Sequence, residues 1–399
     1  MRPVCEVGDV FRAFGPSYRK DHSLPTSHLK VMRAIELCRT AELGGHMERC
    51  NRCGYERNAY NSCRNRHCPK CQALAKAEWL DRRKAELLPV EYFHNVFTLP
   101  HELNLIARYN KTVVYDTLFK SVSHTLQLFG TSPRHGLGGK IGFTAILHTW
   151  DQKLLSHIHL HCVIPAGALS PDGRHWIPSR KGFLFPVKAL SRVFRGTFID
   201  YIKHAFAADE LIFPGPTAHL AAKQEFYRFI GQLWKKEWVV YSKAPFNGPA
   251  KVLDYLGRYT HRVAIANHRV VKMQGEAVTF RYRDRTDHDR SRQMTVHGHE
   301  FIRRFLLHVI PDSYKRIRHF GFLASRNKKQ GLARCRQLLG QCPDTPKVPE
   351  ETVQERMLRL TGMDIMKCPR CKQGRMELAI ELPAGTTVRP PVHRVLDTS

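Results

Sequence analysis

Histidines alternate with other residues in one short segment of the chain, at His157, His159 and His161. Alternate side chains of a β-strand point to the same face, so a strand here would place three imidazoles side by side. An otherwise apolar strand gains nothing from burying titratable groups unless they bind something. We therefore interpret His159 and His161 as metal ligands. His157 and His148 are alternatives for the third ligand.

The metal that this site would bind depends on what completes its coordination. Imidazole alone favours zinc, whereas Mg²⁺ or Mn²⁺ suits a site whose remaining ligands are oxygens of the substrate. Such an ion would polarise a phosphate oxygen and collect the charge that develops on phosphorus. We expect Mg²⁺ or Mn²⁺ as the catalytic cofactor.

Two tyrosines, Tyr255 and Tyr259, are four residues apart and would lie one above the other on a helix. A phenol that attacks phosphorus keeps the phosphate as a covalent ester, so that another strand can be joined later. Lys251, Arg258 and Arg262 would surround this helix and either lower the pKa of the phenol or hold DNA. The alternative is an aromatic stripe that packs on a sheet.

Paired cysteines occur at Cys50 and Cys53 and again at Cys68 and Cys71. This spacing is typical of two knuckles that share one tetrahedral, structural Zn²⁺. Cys63 and His67 lie in the same loop and are alternative ligands, and His46 is a further donor close by. The exposed faces of such a domain often bind phosphates, and the candidates here are Arg49, Arg52, Arg64 and Arg66.

The remaining cysteines give a weaker pattern. Cys368 and Cys371 form a third knuckle, which Cys335 and Cys342 could complete as a second zinc site although their spacing is unusual. We interpret Cys5, Cys38 and Cys162 as ordinary thiols.

The composition favours a partner that is a polyanion. The chain has 399 residues and a formal net charge of +29, from 64 Lys and Arg against 35 Asp and Glu. This excess is spread along the chain and indicates nucleic acid. No signal peptide and no apolar run long enough to span a membrane occurs, which predicts a cytoplasmic protein with no membrane partner. Its cysteines are then better explained as metal ligands than as disulfides.

The predicted fold is α+β, with an antiparallel sheet flanked by helices. We expect a zinc-ribbon-like domain over residues 1–90, a catalytic domain over 91–300, a basic helical region over 301–376 and a flexible tail over 377–399. Residues 143–150 and 155–164 are predicted to pair as a hairpin, which would bring His148 nearly opposite His159. Short strands at 262–266, 270–273 and 277–282 are expected to extend the same sheet.

Alternating aromatic and basic residues on the last of these strands are candidates for contacts with single-stranded DNA. They are Phe280, Arg281, Tyr282 and Arg283. The alternative is that one face of this strand belongs to the core.

The chain resembles the HUH endonucleases, in which a hydrophobic residue separates two histidines, here His159-Leu160-His161. More closely, it resembles the two-tyrosine, rolling-circle transposases of insertion-sequence family ninety-one. The resemblance is carried, in order, by the segments GGHMERCNRCGYERNAYNSCRNRHCPKCQ, FHNVFTLPHEL, ILHTWDQ, HIHLHCVIPAGAL and YLGRYTHRVAIANHR. Asp151 departs from the glycine expected in the hairpin turn.

The resemblance implies an N-terminal zinc-binding domain that helps to recognise element ends, followed by an HUH core. It implies that His159 and His161 bind the divalent metal and that Tyr255 and Tyr259 are nucleophiles. Each tyrosine would form a 5'-phosphotyrosine with single-stranded DNA and release a 3'-hydroxyl. The implied partners are element ends and target DNA, and self-association is left open.

Two other functions fit parts of the pattern. A plasmid replication initiator or relaxase would use the same chemistry, but such proteins more often carry a helicase, and the phosphate-binding GxxxxGK[ST] motif is absent from the sequence. A zinc-ribbon DNA-binding regulator, with tyrosines and histidines in its core, would bind DNA without metal-dependent cleavage.

Overall fold

The protein is described from a computed structural model, which covers residues 5–134, 136–243, 264–284 and 286–386 together with Lys251, Leu253 and Gly257. The fold is α+β, as the sequence predicts, and every strand pair is antiparallel. The described helices are α1 (Val7–Asp21), α2 (Thr26–Leu37), α3 (Gln72–Ala85), α4 (Leu103–Tyr109), α5 (Lys111–Thr131), α6 (Val187–Ala207), α7 (Lys223–Lys235), α8 (Gly298–Leu307), α9 (Lys328–Leu338) and α10 (Val353–Thr361). None of the helices in these ranges could cross a membrane.

The strands are short and fall into four sheets. They are β1 (Gly45–Cys50), β2 (Glu56–Tyr60), β3 (Tyr92–Thr98), β4 (Gly142–Trp150), β5 (Ser156–Pro165), β6 (Gly167–Leu169), β7 (Trp176–Pro178), β8 (Val240–Lys243), β9 (Val270–Gln274), β10 (Ala277–Asp284), β11 (Arg290–His297), β12 (Ile317–Gly321) and β13 (Met376–Leu382). The largest sheet has the order β12-β4-β5-β3-β8, and β6 pairs with β7 alone.

The central hairpin of the large sheet confirms the predicted pairing. β4 pairs with β5, and His148 lies directly opposite His159. Side chains alternate between the two faces of β5: Ile158 and Leu160 enter the main core, while His159 and His161 point to the other face. Truncating Leu160, which is fully buried, would cost about 2–5 kcal/mol of folding free energy. A one-residue slip in register would put the imidazoles into this core, so the alternation fixes the site.

Helices α4, α5, α6 and α7 cover the apolar face of the large sheet. The helical stretch from Leu103 to Thr131 is divided into α4 and α5, because Asn110 has the non-helical dihedrals φ −122° and ψ 42°. Its side chain donates to the Ile212 carbonyl at 2.8 Å and accepts from the Ile212 N–H at 2.8 Å. This break therefore links α4 and α5 to the loop that follows α6.

The strands after residue 264 correct one expectation. β9, β10 and β11 form a sheet of their own and do not extend the large one, and β11 was not anticipated. Residues 264–266 are not a strand, and 262–263 lie outside the described residues. The small sheet shares a core with α1, α2 and α8, in which the Phe11 and Phe305 rings meet edge to face at 5.2 Å. Phe280 is fully buried there, so it is a core residue and not a DNA contact.

The third sheet, of order β13-β1-β2, joins the two ends of the described chain. Gly45 lies opposite Leu382, and Cys50 lies opposite Met376. Residues 377–382, expected in a flexible tail, are therefore part of a strand. The N-terminal zinc region and the C-terminal region form one sheet, although the domain boundaries themselves stay a prediction.

Candidate active site and metal centres

Three imidazoles from the central hairpin converge on one point. His159 Nε2 lies 3.0 Å from His161 Nε2 and 3.0 Å from His148 Nδ1. All three side chains are buried, and their nearest nitrogens lie within 4.8 Å of one another. Neighbouring ligands about 2.1 Å from a common ion would be separated by about 3.0–3.4 Å, so this set fits a divalent transition metal such as Mn²⁺.

The neighbours of two of these rings direct their nitrogens towards the centre. His159 Nδ1 lies 2.9 Å from the His157 carbonyl, so Nδ1 carries the proton and Nε2 is left to bind. His161 Nδ1 lies 2.8 Å from His94 Nε2 on β3. Outer partners of this kind fix the tautomer and the orientation of metal-binding histidines.

The geometry favours His148 over His157 as the third ligand. His148 belongs to the converging set, whereas the His157 ring lies beside His159 with ring centroids 4.7 Å apart. His94 was missed by sequence reasoning. Its position in the segment FHNVF, inside a strand, is the signal that could have found it.

Burial keeps the His148 and His94 rings neutral. Loss of hydration lowers the pKa of His148 well below its ordinary value, with smaller contributions from His159 and His161. Burial and, less strongly, Lys243 lower the pKa of His94 to about 4. Neutral imidazole is the form that binds metal, so His148 can bind an ion at neutral pH without first losing a proton.

The histidines open into a cavity of about 300 Å³. Its wall is completed by the hairpin turn, the 3₁₀ segment before β9 and the end of β10; the lining residues are His148, Trp150, Asp151, Gln152, Lys153, His157, His159, His161, Arg269, Arg283, Asp284 and Thr286. Lys153, Arg269 and Arg283 give this wall a positive charge next to the imidazoles. A larger cavity of about 780 Å³, between α1, α4, α5 and α8, lies away from the histidine cluster.

Asp151 explains how the hairpin turn closes without the glycine that was expected there. Its carboxylate accepts from the N–H groups of Lys153 at 2.8 Å and Leu155 at 2.7 Å. Leu154 takes the positive φ of the turn, at 64°, and is held by full burial. The turn therefore presents Lys153 at the cavity by side-chain capping.

The tyrosine nucleophiles predicted from the sequence, Tyr255 and Tyr259, lie outside the described residues, as do Arg258 and Arg262. Of this segment the structure describes Lys251, which is exposed, and Leu253 and Gly257, which are buried; all three are helical. A Cβ added to Gly257 would lie 2.6 Å from Leu80 Cδ1. Helix α3, which follows the cysteine loop, thus contacts this segment directly.

The cysteines form two groups, and neither is the group of four that the spacing predicted. The first group is Cys38, Cys63, Cys68 and Cys71. Cys71 Sγ lies 3.5 Å from Cys38 Sγ and 3.6 Å from Cys63 Sγ, close to the ~3.8 Å between ligands of a tetrahedral zinc–thiolate site. Cys71 also precedes α3, whose N-terminus favours negative charge.

The second group is Cys50, Cys53, Cys368 and Cys371. The expectation of one zinc shared by the two N-terminal pairs is therefore wrong, because the loops that carry them face different parts of the chain. Cys38, read as an ordinary thiol, belongs to the first group, and Cys63 joins it as a full member. Cys335, on α9, is buried in a different cluster and Cys342 is exposed, and neither belongs to the second group.

The histidines weighed as alternative zinc ligands have other contacts. His67 Nε2 accepts from the Ile310 N–H at 3.1 Å, and burial lowers the pKa of His67 to about 3. His46 lies 3.4 Å from Glu48. The structure thus leaves the two cysteine groups as all-thiolate sites.

The arginines expected to bind phosphates fall into two kinds. Arg52 and Arg64 are exposed, and in the described part of the chain neither has a carboxylate partner. Arg49 pairs with Glu56 at 2.6 Å, and Arg66 donates to the Tyr314 carbonyl at 2.8 Å. The first two remain candidates for DNA, while the second two already hold the fold.

Comparisons with known proteins agree with this architecture. Residues 10–99 match the family model described as a transposase zinc-binding domain, and residues 142–330 match one described as a putative transposase. The chain is 51% identical over 398 residues to the putative transposase y4qJ of Sinorhizobium fredii, covering 99% of this chain and 98% of that one. It is 28% identical over 338 residues to the transposase for insertion sequence element IS801 of Pseudomonas savastanoi pv. phaseolicola, covering 84% of this chain and 79% of that one. No solved structure matches.

Each matched region contains one of the features described above. The zinc-binding match contains α3 and the first cysteine group, and the transposase match contains the histidine hairpin and the basic cavity. Together they define a transposase that carries an N-terminal zinc-binding domain. The chain belongs to insertion-sequence family ninety-one of these proteins.

Proposed function

We propose that this transposase nicks and rejoins single-stranded DNA at the ends of its insertion sequence, through 5'-phosphotyrosine intermediates, in rolling-circle transposition. The observation that carries the proposal is the convergence of His148, His159 and His161 within 3.0–4.8 Å, in a cavity whose lining has three basic and two acidic residues. A replication initiator or a regulator would have to share this cavity, but the relatives found are transposases.

In this proposal the three converging nitrogens would hold the metal, with Mg²⁺ or Mn²⁺ as the ion, and their separations support that assignment. When bound, the ion supplies a positive charge that polarises a phosphate oxygen of the substrate. Burial keeps His148 neutral, and His94 orients His161. Lys153, Arg269 and Arg283 supply cationic groups that would bind the flanking phosphates of the DNA and displace the cations that otherwise surround it.

The phosphoryl transfer would begin at a phenol oxygen of Tyr255 or Tyr259. This oxygen forms a bond to phosphorus as the phosphorus–O3' bond breaks; the phenol loses its proton, and the leaving 3'-oxygen gains one. The products are a 5'-phosphotyrosine and a free 3'-hydroxyl. Attack of another 3'-hydroxyl on the phosphotyrosine reverses these bond changes and joins a new strand, so no ATP is needed.

The test is a covalent adduct. The protein is incubated with a labelled single-stranded oligonucleotide from the DNA that flanks its coding sequence, with Mg²⁺ or Mn²⁺, and is then run on a denaturing gel. We expect a metal-dependent adduct that each of Tyr255→Phe and Tyr259→Phe weakens and the double variant abolishes. His161→Ala should abolish it as well.

Two matched controls separate the active site from general damage. Tyr241→Phe changes an exposed tyrosine on the edge strand β8, and His219→Ala changes an exposed histidine; both should form the adduct normally. Tight binding of cognate DNA with no adduct under any divalent metal would overturn the proposal. That outcome would favour a DNA-binding protein without strand transfer.

A further inference from the structure

We propose that Cys50, Cys53, Cys368 and Cys371 bind a second zinc ion, which fastens the C-terminal segment of the chain to its zinc-binding domain. The matched zinc-binding region ends at residue 99, so it contains only half of this site. The paired ligands come from positions more than 300 residues apart: Cys50 and Cys371 differ by 321 positions, and Cys53 and Cys368 by 315.

The sulfur positions fit a tetrahedral all-thiolate site. Cys50 Sγ lies 3.7 Å from Cys371 Sγ, and Cys53 Sγ lies 3.7 Å from Cys368 Sγ. These separations match the ~3.8 Å expected around zinc, whereas a disulfide would need about 2.05 Å. Four thiolates within 4.8 Å of one another would repel strongly without a cation between them.

The two loops have the backbone of a pair of matched zinc knuckles. In the first, Gly54 donates to the Cys50 carbonyl at 3.1 Å and has φ 65°; in the second, Lys372 donates to the Cys368 carbonyl at 3.0 Å and has φ 57°. Backbone N–H groups also point at sulfur: Arg52 N lies 3.4 Å from Cys50 Sγ. Donors of this kind stabilise a thiolate, the form that binds metal.

Gly374 lets the two knuckles approach each other. A Cβ added there would lie 2.4 Å from Cys50 Sγ and 2.8 Å from the Arg52 Cβ. The second loop also donates the Gly374 N–H to Cys371 Sγ at 3.3 Å. A side chain at this position would therefore push apart two halves of the site without removing a ligand.

The apolar contacts at this junction are too few to hold it alone. Its buried cluster contains Cys50, Cys368 and Met376, with Tyr55 and Cys371 packed beside them. Small units with so little core need a metal or a covalent link, and a structural zinc supplies the missing folding free energy. Exposed basic residues on both knuckles, Arg52 and Arg370, balance the negative charge of a zinc ion with four thiolates.

The second zinc would hold more than the knuckles. β13 follows the second knuckle and pairs with β1, and α10 precedes it and pairs with α3 through Arg359 and Asp81 at 2.7 Å. The ion thus fixes a segment of about thirty residues, 353–382, on the zinc-binding domain. This role does not depend on the cleavage chemistry.

The test counts zinc in the full-length protein. All proteins carry His159→Ala and His161→Ala, so that the histidine site does not contribute. We expect two zinc ions per chain by elemental analysis, and one in Cys371→Ser. Gly374→Ala keeps every ligand. It should lose its second zinc ion at a concentration of competing chelator at least ten-fold lower than the reference protein requires.

The controls are Cys342→Ser, an exposed cysteine outside both groups, and Gly231→Ala, on a helix face with open space around it. Both should keep two zinc ions with unchanged chelator resistance. A single zinc ion in the reference protein, or two in Cys371→Ser, would overturn the proposal. A count of reactive thiols, made after denaturation in chelator, gives a further check. A count of eight instead of the twelve of the sequence would also overturn the proposal, since these four cysteines would then be disulfides.

Discussion

His94 and His161 are stacked, with ring centroids 5.1 Å apart and an angle of 13° between the rings, and His94 Nε2 lies 2.8 Å from His161 Nδ1. The two residues belong to adjacent strands, on which Val96 and His161 are directly opposite. His161 can present Nε2 to a metal only if Nδ1 carries the proton, so His94 must accept that proton in a hydrogen bond. A histidine outside the proposed ligand set thereby sets the tautomer of a proposed ligand.

The first prediction concerns this pair. His94→Ala should raise the Mn²⁺ concentration for half-maximal cleavage by about 10–100-fold, because His161 loses the partner that orients it. His94→Gln keeps an acceptor and should restore part of the affinity. Titrating Mn²⁺ at fixed DNA measures both, and saturating Mn²⁺ should recover most of the rate. Equal metal dependence in all three proteins would show that His94 only fills space.

The second prediction concerns the contact between Gly257 and Leu80, and it rests on the proposed function. Valine at position 257 cannot fit against the Leu80 side chain, where a Cβ would already lie 2.6 Å from Cδ1. A displacement of about 1 Å in a catalytic group can cost about 100-fold in rate. We expect Gly257→Val to slow adduct formation to about this extent, and Leu80→Ala in the same chain to restore it.

The control for this pair is Gly231→Val, which makes the same change in helix propensity at a position with open space around it. Initial rates with labelled single-stranded DNA distinguish the outcomes. If the reference protein forms the adduct and Gly257→Val is as fast, α3 does not position the tyrosine segment. If adding Leu80→Ala does not restore the rate of the Gly257→Val protein, the loss of rate does not come from the contact with Leu80.

The third prediction concerns Arg283, an exposed residue in the wall of the histidine cavity. If it holds one phosphate of a single strand, Arg283→Ala should reduce the slope of log affinity against log salt by about 0.7. Arg228→Ala removes the same charge from α7, where Arg228 pairs with Glu225 at 2.7 Å. Fluorescence anisotropy with a labelled oligonucleotide measures both slopes. An unchanged slope in Arg283→Ala would remove this residue from the DNA path.

The fourth prediction concerns pH and His319. Arg83 Nη1 donates to His319 Nε2 at 3.1 Å, and Nδ1 lies 2.9 Å from Thr144 Oγ1, so the ring must be neutral. Burial, and then Arg83, lower the pKa of His319 to about 4. The unfolded chain therefore takes up the proton first, and the stability that His319 contributes above its unfolded pKa is lost as pH falls from about 6.5 towards 4.

His319→Gln should therefore flatten the fall in the free energy of unfolding over this range. The difference in slope should be at most about 1.4 kcal/mol per pH unit, the value for one proton. Other buried histidines titrate in both proteins and cancel in the comparison. Urea unfolding at several pH values measures the slopes, with the exposed His219→Gln as control. Parallel curves for the reference and His319→Gln would contradict the prediction.

The histidine hairpin could be predicted because its information is local. A period of two fixes which residues share a face, and a short turn fixes the pairing of β4 with β5. The position of His148 opposite His159 follows from both. His94 could not be placed in this way, since its contact depends on how β3 aligns with β5 from a distant part of the sequence.

The partners of the cysteine pairs could not be predicted from the sequence. Spacing identifies Cys50 and Cys53, or Cys68 and Cys71, as halves of a site, but it says nothing about which halves meet. Cys38 follows a helix and has no partner within two residues, so its role emerges only when α2 and α3 are packed. The assignment of Tyr255 and Tyr259 still rests on the resemblance and the proposed chemistry.

The pairing of β1 with β13 also has a consequence for synthesis of the protein. The ribosome completes β1 and β2 well before it makes their third strand, which begins at residue 376. Until then β1 has an open edge with unpaired backbone groups, which invites association with other chains. A chain whose synthesis stops upstream of β13 would therefore leave this sheet incomplete and its β1 edge exposed to association.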